Sequence, residues 1–145
     1  MVDYMALGAL HRYFMWANRL RDHLDKALVA RGSVKEVDFP IWFADDPGLF
    51  MSYWYAALYV VIEGYQELEL HDPKIDALLT SPNVDLLRRY RNGVDHFQKD
   101  YFDGRFIDFM GPPDTPRWTR ELNKEFGRFL IESIRSRTRG AAAGP

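Results

Sequence analysis

The stretch DPGLFMSYWYAALYVVIEGYQELEL, residues 46–70, decides the fold. From Leu49 to Ile62 almost every side chain is apolar or aromatic, so a helix built from them has no polar face. A helix that is apolar all round belongs at the centre of a helical domain. Asp46 as N-cap with Pro47 at the first helical position marks its start, and "EGYQELEL" returns it to water, which predicts a helix over about 47–71. Ser52 interrupts the apolar run and several Tyr and Trp tip it with polar atoms. It is too short and too polar for a membrane span.

Working outward, Leu7, Leu10, Phe14, Ala17, Leu20, Leu24 and Leu28 recur at three- and four-residue steps, predicting a first helix from about Tyr4 to Ala30. Gly32 suits the left-handed conformation that ends a helix. "VKEVDFPIWFADDPG" (34–48) reads as a connection whose aromatics anchor it on the bundle. "HDPKIDALL" (71–79) is a short helix with Asp as cap and Pro at its start. "SPN" (81–83) breaks it, and Asn83 caps a helix over about 84–103. "GPPDTP" (111–116) is a linker, and Thr115 and Pro116 open a last helix to about Arg137. No strand-like alternation and no repeat competes with this pattern. The expectation is an all-α, up-and-down bundle of four long helices and one short one, a single domain over 1–138 with a disordered tail at 139–145.

At 145 residues with 47% hydrophobic and 15% aromatic content, the chain can bury one ring-rich core. A net charge of −2 gives no global attraction to nucleic acid or anionic membrane. There is no cysteine, which excludes disulfides, thiolate metal sites and cysteine nucleophiles. The N-terminus "MVDYMALGAL" has an aspartate where a signal peptide carries positive charge, so a soluble cytoplasmic protein with no membrane association is expected. The last helix is locally basic through Arg117, Arg120, Lys124, Arg128, Arg135, Arg137 and Arg139. A solvated face with internal ion pairs explains that run better than a phosphate-binding surface.

Candidate chemistry concentrates in "LLRRYRNGVDHFQKDYF", residues 86–102. Leu86, Leu87, Tyr90, Val94, Phe97 and Tyr101 form the expected core-facing stripe. Asn92 and His96 lie one helical turn apart on nearly one face, and Arg91, about 140° round the helix from His96, has an arm long enough to swing toward it. The plain alternative for Arg91 is a surface ion pair with Asp95 four residues on. An Arg-Asn pair followed by His at this spacing is expected about 0.01 times by chance in such a composition, so the trio carries information. The four histidines, His11, His23, His71 and His96, include no His-x3-His and no Glu-x-x-His. "YFMWANRLRDHLD" (13–25) resembles the first helix of DinB-like metal-binding bundles. Helix two, however, offers Tyr53, Trp54 and Tyr55 where those proteins place a histidine. No metal and no cofactor is expected.

Arg91-Asn92-x3-His96 is similar to the Arg-polar-x3-His motif of the HEPN superfamily, small helical bundles of which many are metal-independent ribonucleases of toxin–antitoxin and antiviral systems. "YAALYVVIEGYQEL" resembles that family's second helix, with its acidic residue at Glu63, and the likeness covers about residues 53–108. The resemblance implies an endoribonuclease in which His96 moves a proton, Arg91 stabilises the charged phosphorane and Asn92 orients the imidazole or meets phosphate. In supporting roles, Glu63 aims Arg91, while Lys99 and Tyr101 add a phosphate contact and a stacking face. It also implies a homodimer whose motif helices face one another, an RNA substrate and an antitoxin-like protein partner. Many members are inactive nucleotide- or protein-binding modules, which is the alternative.

Overall fold

A computed structural model describes residues 2–31 and 38–144, and among these the chain is all-helical with no strand. Four longer helices, α1 (Tyr4–Arg31), α3 (Asp46–Glu67), α5 (Asn83–Asp95) and α7 (Thr115–Ala142), are joined by three short ones, α2 (Phe39–Ala44), α4 (Pro73–Leu78) and α6 (Gly104–Met110). The all-α expectation holds, while α2 and α6 were not anticipated as helices. The turn assigned to Gly32 and the start of the following connection lie outside the described residues.

Helix α3 is the central element, packed against α1, α2 and α5. Its Trp54, Leu58, Val61, Ile62 and Tyr65 are buried, as the all-round apolar pattern requires. Its N-cap is Asp45 rather than Asp46: the Asp45 carboxylate accepts from the Asp46 backbone N–H, and Pro47 sits in the first turn. The helix ends at Glu67. Glu69 then takes a left-handed φ of 52°, and the Leu70 N–H bonds to the Tyr65 carbonyl, closing the turn in the manner usually left to glycine. Asp72 caps α4 as expected, accepting from the N–H groups of Lys74 and Ile75.

Beside α3, the rings of Tyr55, Tyr90, Phe106 and Phe109 meet mostly edge to face, and the Tyr90 and Ser52 hydroxyls share a 2.7 Å hydrogen bond. Helix α7 joins through buried Trp118, Leu122, Phe126 and Leu130, and the Trp118 indole donates to the Leu78 carbonyl. It continues to Ala142 instead of stopping near Arg137, so the first residues of the expected tail are helical. No helix among the described residues is long and apolar enough to cross a membrane.

Candidate functional site

Helix α5 begins one residue earlier than expected, and Pro82, not Asn83, occupies the cap position. The Ser81 hydroxyl accepts the Asn83 N–H, and the buried Asn83 amide donates to Asp114, tying the start of α5 to that of α7. The helix ends at Asp95, eight residues short of the expected 103. His96 is its C-cap, with extended backbone (φ −126°, ψ 131°). The shared helical face of Asn92 and His96 is therefore not formed. Their link is through the backbone, the His96 N–H donating to the Asn92 carbonyl at 3.2 Å.

The chain leaves the helix here because α6 folds back on α5 at Gly93. A Cβ on Gly93 would stand 2.8 Å from Phe106 Cε1 and 3.2 Å from Arg105 Cβ, so only glycine permits this approach. Phe106 and Phe109 of α6 fill the positions against Tyr90 that Phe97 and Tyr101 were expected to fill. Phe97 is instead 93% exposed. Tyr101 is half-exposed; its hydroxyl donates to the Pro40 carbonyl and its ring meets Phe43 of α2 edge to face. The intervening loop is braced by Gln98, whose amide donates to the His96 carbonyl and accepts from Arg105. His96 and Lys99 are both exposed on this loop.

Arg91 points to α3. One guanidinium nitrogen lies 3.1 Å from Glu63 Oε1, and the group sits over the Tyr59 ring at 4.9 Å. The pairing with Asp95 is replaced by this inter-helix one, which joins Arg91 to Glu63, the acidic residue that the resemblance implied. The ion pair and the ring contact are each worth up to about 1 kcal/mol at such exposure. The buried Arg91 Nε has no hydrogen-bond partner among the described residues. Burial of the Tyr59 phenol and the nearby Glu63 charge raise its pKa, against the opposing pull of Arg91.

A second constellation escaped the sequence reading. A groove of about 420 Å³ between α1 and α7 is lined by Phe14, Asn18, Arg21, Arg120, Lys124 and Ile131, among others. Buried Asn123 forms its floor: its Oδ1 accepts the Trp54 indole N–H at 3.0 Å and its Nδ2 donates to Asn18 Oδ1 at 3.1 Å. Asn18 Oδ1 also accepts Arg21 Nε, and the Asp25 carboxylate receives both Arg21 (2.6 Å) and Arg120 (2.8 Å). The one available signal was an asparagine at each of two core-facing helical steps. Among the described residues no group of three or more His, Asp or Glu is placed to hold a metal ion. Comparison with protein-family models, with curated proteins and with solved structures gives no match.

Proposed function

We propose that this chain is a HEPN-like domain that cleaves RNA without a metal, its four longer helices forming the bundle and Arg91, Asn92 and His96 forming the reactive set. The observation that carries this is the intact Arg91-Asn92-x3-His96 motif with Arg91 anchored by Glu63. In that chemistry, the imidazole removes the proton of a ribose 2′-OH and the freed oxygen attacks the adjacent phosphorus. The bond to the 5′-oxygen breaks, leaving a 2′,3′-cyclic phosphate and a 5′-hydroxyl. A guanidinium suits the charge spread over the phosphoryl oxygens, and an imidazole with pKa near neutrality suits the proton transfer. One histidine cannot at the same time take the first proton and deliver one to the leaving group. A homodimer presenting two copies of His96 to one cleft supplies both, and an antitoxin-like partner would act by covering that cleft.

The test is RNA cleavage by purified protein in EDTA. Wild type is expected to give cyclic-phosphate ends, and His96→Ala to lose at least about a hundredfold in rate. Cleavage by His96→Ala at the wild-type rate would sink the proposal. A second reading, a HEPN-like module that binds a nucleotide or a protein without cleaving RNA, is favoured by one observation: His96 stands off the helix as its extended C-cap and so shares no helical face with Asn92. A stable complex with a partner and no cleavage by wild type would select it.

A further inference from the structure

We propose that the groove between α1 and α7 binds the phosphate group of a small organic phosphate monoester. The charge balance is local. Among the described residues Arg21 and Arg120 share one carboxylate, Asp25, and Lys124 on the same groove makes no ion pair, so the pairing leaves two positive charges in excess among these three side chains. Arg128, which lines the groove one helical turn beyond Lys124, spends its charge on three carboxylates, its three nitrogens donating to Asp72, Glu125 and Glu132, so the unpaired charge lies with Arg21, Arg120 and Lys124. A phosphate monoester carries about −1.5 to −2 at neutral pH and matches the excess. A carboxylate or a nucleic-acid phosphodiester carries half of it.

The donors are also arranged and unspent. Because Asn18 Oδ1 accepts from both Arg21 and Asn123, its amide is fixed with Nδ2 as a donor that no described residue uses. Arg21 keeps Nη2, Arg120 keeps Nε and Nη1, and Lys124 makes no ion pair among the described residues. Four side chains that line one groove thus carry donors left over from their own contacts, enough in number for three phosphoryl oxygens. Asn123, tied to the Trp54 indole in the core, and Arg120, stacked over the same indole at 5.5 Å, anchor the set. Phe14 and Ile131 supply an apolar wall for the organic part of the ligand. Gly127 keeps that wall open, since a Cβ there would come within 3.1 Å of Phe14 Cζ. None of these residues belongs to the Arg91–His96 set, so the proposal stands apart from RNA cleavage.

Calorimetric titration with phenyl phosphate at low ionic strength tests it. Wild type is expected to bind more tightly than it binds inorganic phosphate, because only the ester reaches the apolar wall. Lys124→Gln, an exposed position with no role in packing, is expected to weaken binding about tenfold through loss of one charge-assisted contact. Asn18→Ala is expected to weaken it as well, whereas Arg135→Gln, an exposed cation elsewhere on α7, leaves it unchanged. No heat from wild type at millimolar phenyl phosphate, an equal loss in Arg135→Gln, or benzoate or a single-stranded RNA binding as tightly as phenyl phosphate would each overturn the proposal.

Discussion

Gly93→Ala sets two effects of opposite sign against each other. In an isolated helix the change stabilises by up to about 1 kcal/mol, because alanine is the better helix former. Here the new methyl would stand 2.8 and 3.0 Å from two atoms of the Phe106 ring and 3.2 Å from Arg105 Cβ. The ring has little room to yield, since it is held by edge-to-face contacts with Tyr90 at 5.3 Å and Phe43 at 5.5 Å. Arg105 Cβ moves only if α6 moves. Overpacking of this kind costs about 1–3 kcal/mol, and displacing the ring forfeits a further 0.5–1.5 kcal/mol or so for each aromatic pair. The expected net effect is a loss of at least about 1 kcal/mol, the floor left after the propensity gain is subtracted. In urea, with a slope of about 2 kcal/mol/M, the unfolding midpoint should fall by at least roughly 0.5 M. Phe106→Leu in the Gly93→Ala background should recover part of that loss, giving a favourable coupling between the two sites. A Gly93→Ala midpoint above wild type would refute the reasoning, since propensity would then have won and α6 would yield freely.

Glu69→Gly should raise the unfolding midpoint by the equivalent of about 1 kcal/mol, because Glu69 holds a left-handed φ of 52° that glycine adopts without strain; an unchanged or lower midpoint would show that the Glu69 side chain compensates. Asp72 predicts a pH dependence. Burial disfavours its charge, but hydrogen bonds from Arg128 and from the Ile75 and Lys74 N–H groups outweigh that and hold its carboxyl below the ordinary value of 3.8. A depressed carboxyl contributes stability that is fully present above the unfolded pKa and is lost as pH falls through the folded one. Wild type should therefore lose stability below about pH 3.8, and Asp72→Asn, compared by thermal melts, should show a shallower decline over that range. Equal slopes would mean that the carboxylate titrates alike in both states.

How far the sequence could be read follows from which forces act locally. The 3.6-residue rhythm of α1, the apolar run of α3 and the Asp72-Pro73 start of α4 each depend on a few neighbouring residues, and each element is found where expected, although Leu28 of α1 and Leu49 and Tyr53 of α3 stay exposed. The end of α5 depends on a contact made later in the chain. Phe97 and Tyr101 continue the spacing of Tyr90 and Val94, and nothing local says that α6 will take their place. Gly93 was the visible mark of that close approach, but in isolation it is only a weak helix residue. Helix α2 is six residues long, too short for periodicity to register, although Asp38 and Pro40 flank its start as a helix start requires. For the candidate site, the Arg91–Glu63 pair was implied by the family resemblance, whereas local spacing pointed to Asp95. The position of His96 could not be read, because it is set by the turn into α6. The α1–α7 groove was hidden for the same reason: Asn18 and Asn123 are 105 positions apart, and each alone is an unremarkable polar residue in a helix.

The chain from Trp54 through Asn123 to Asn18 also fixes the register of α7. Leucines and phenylalanines tolerate sliding, since one apolar contact resembles the next. A one-turn slip of α7, about 5.4 Å along its axis, would exchange Asn123 for Gly127 in one sense and for the shorter Thr119 in the other. Neither spans the gap between the Trp54 indole and the Asn18 amide, and the slipped form would bury an indole N–H with nothing to receive it, at a cost of about 1–3 kcal/mol. A single asparagine thus selects one alignment of a 28-residue helix from its neighbours, as a lone polar residue does in the seam of a coiled coil.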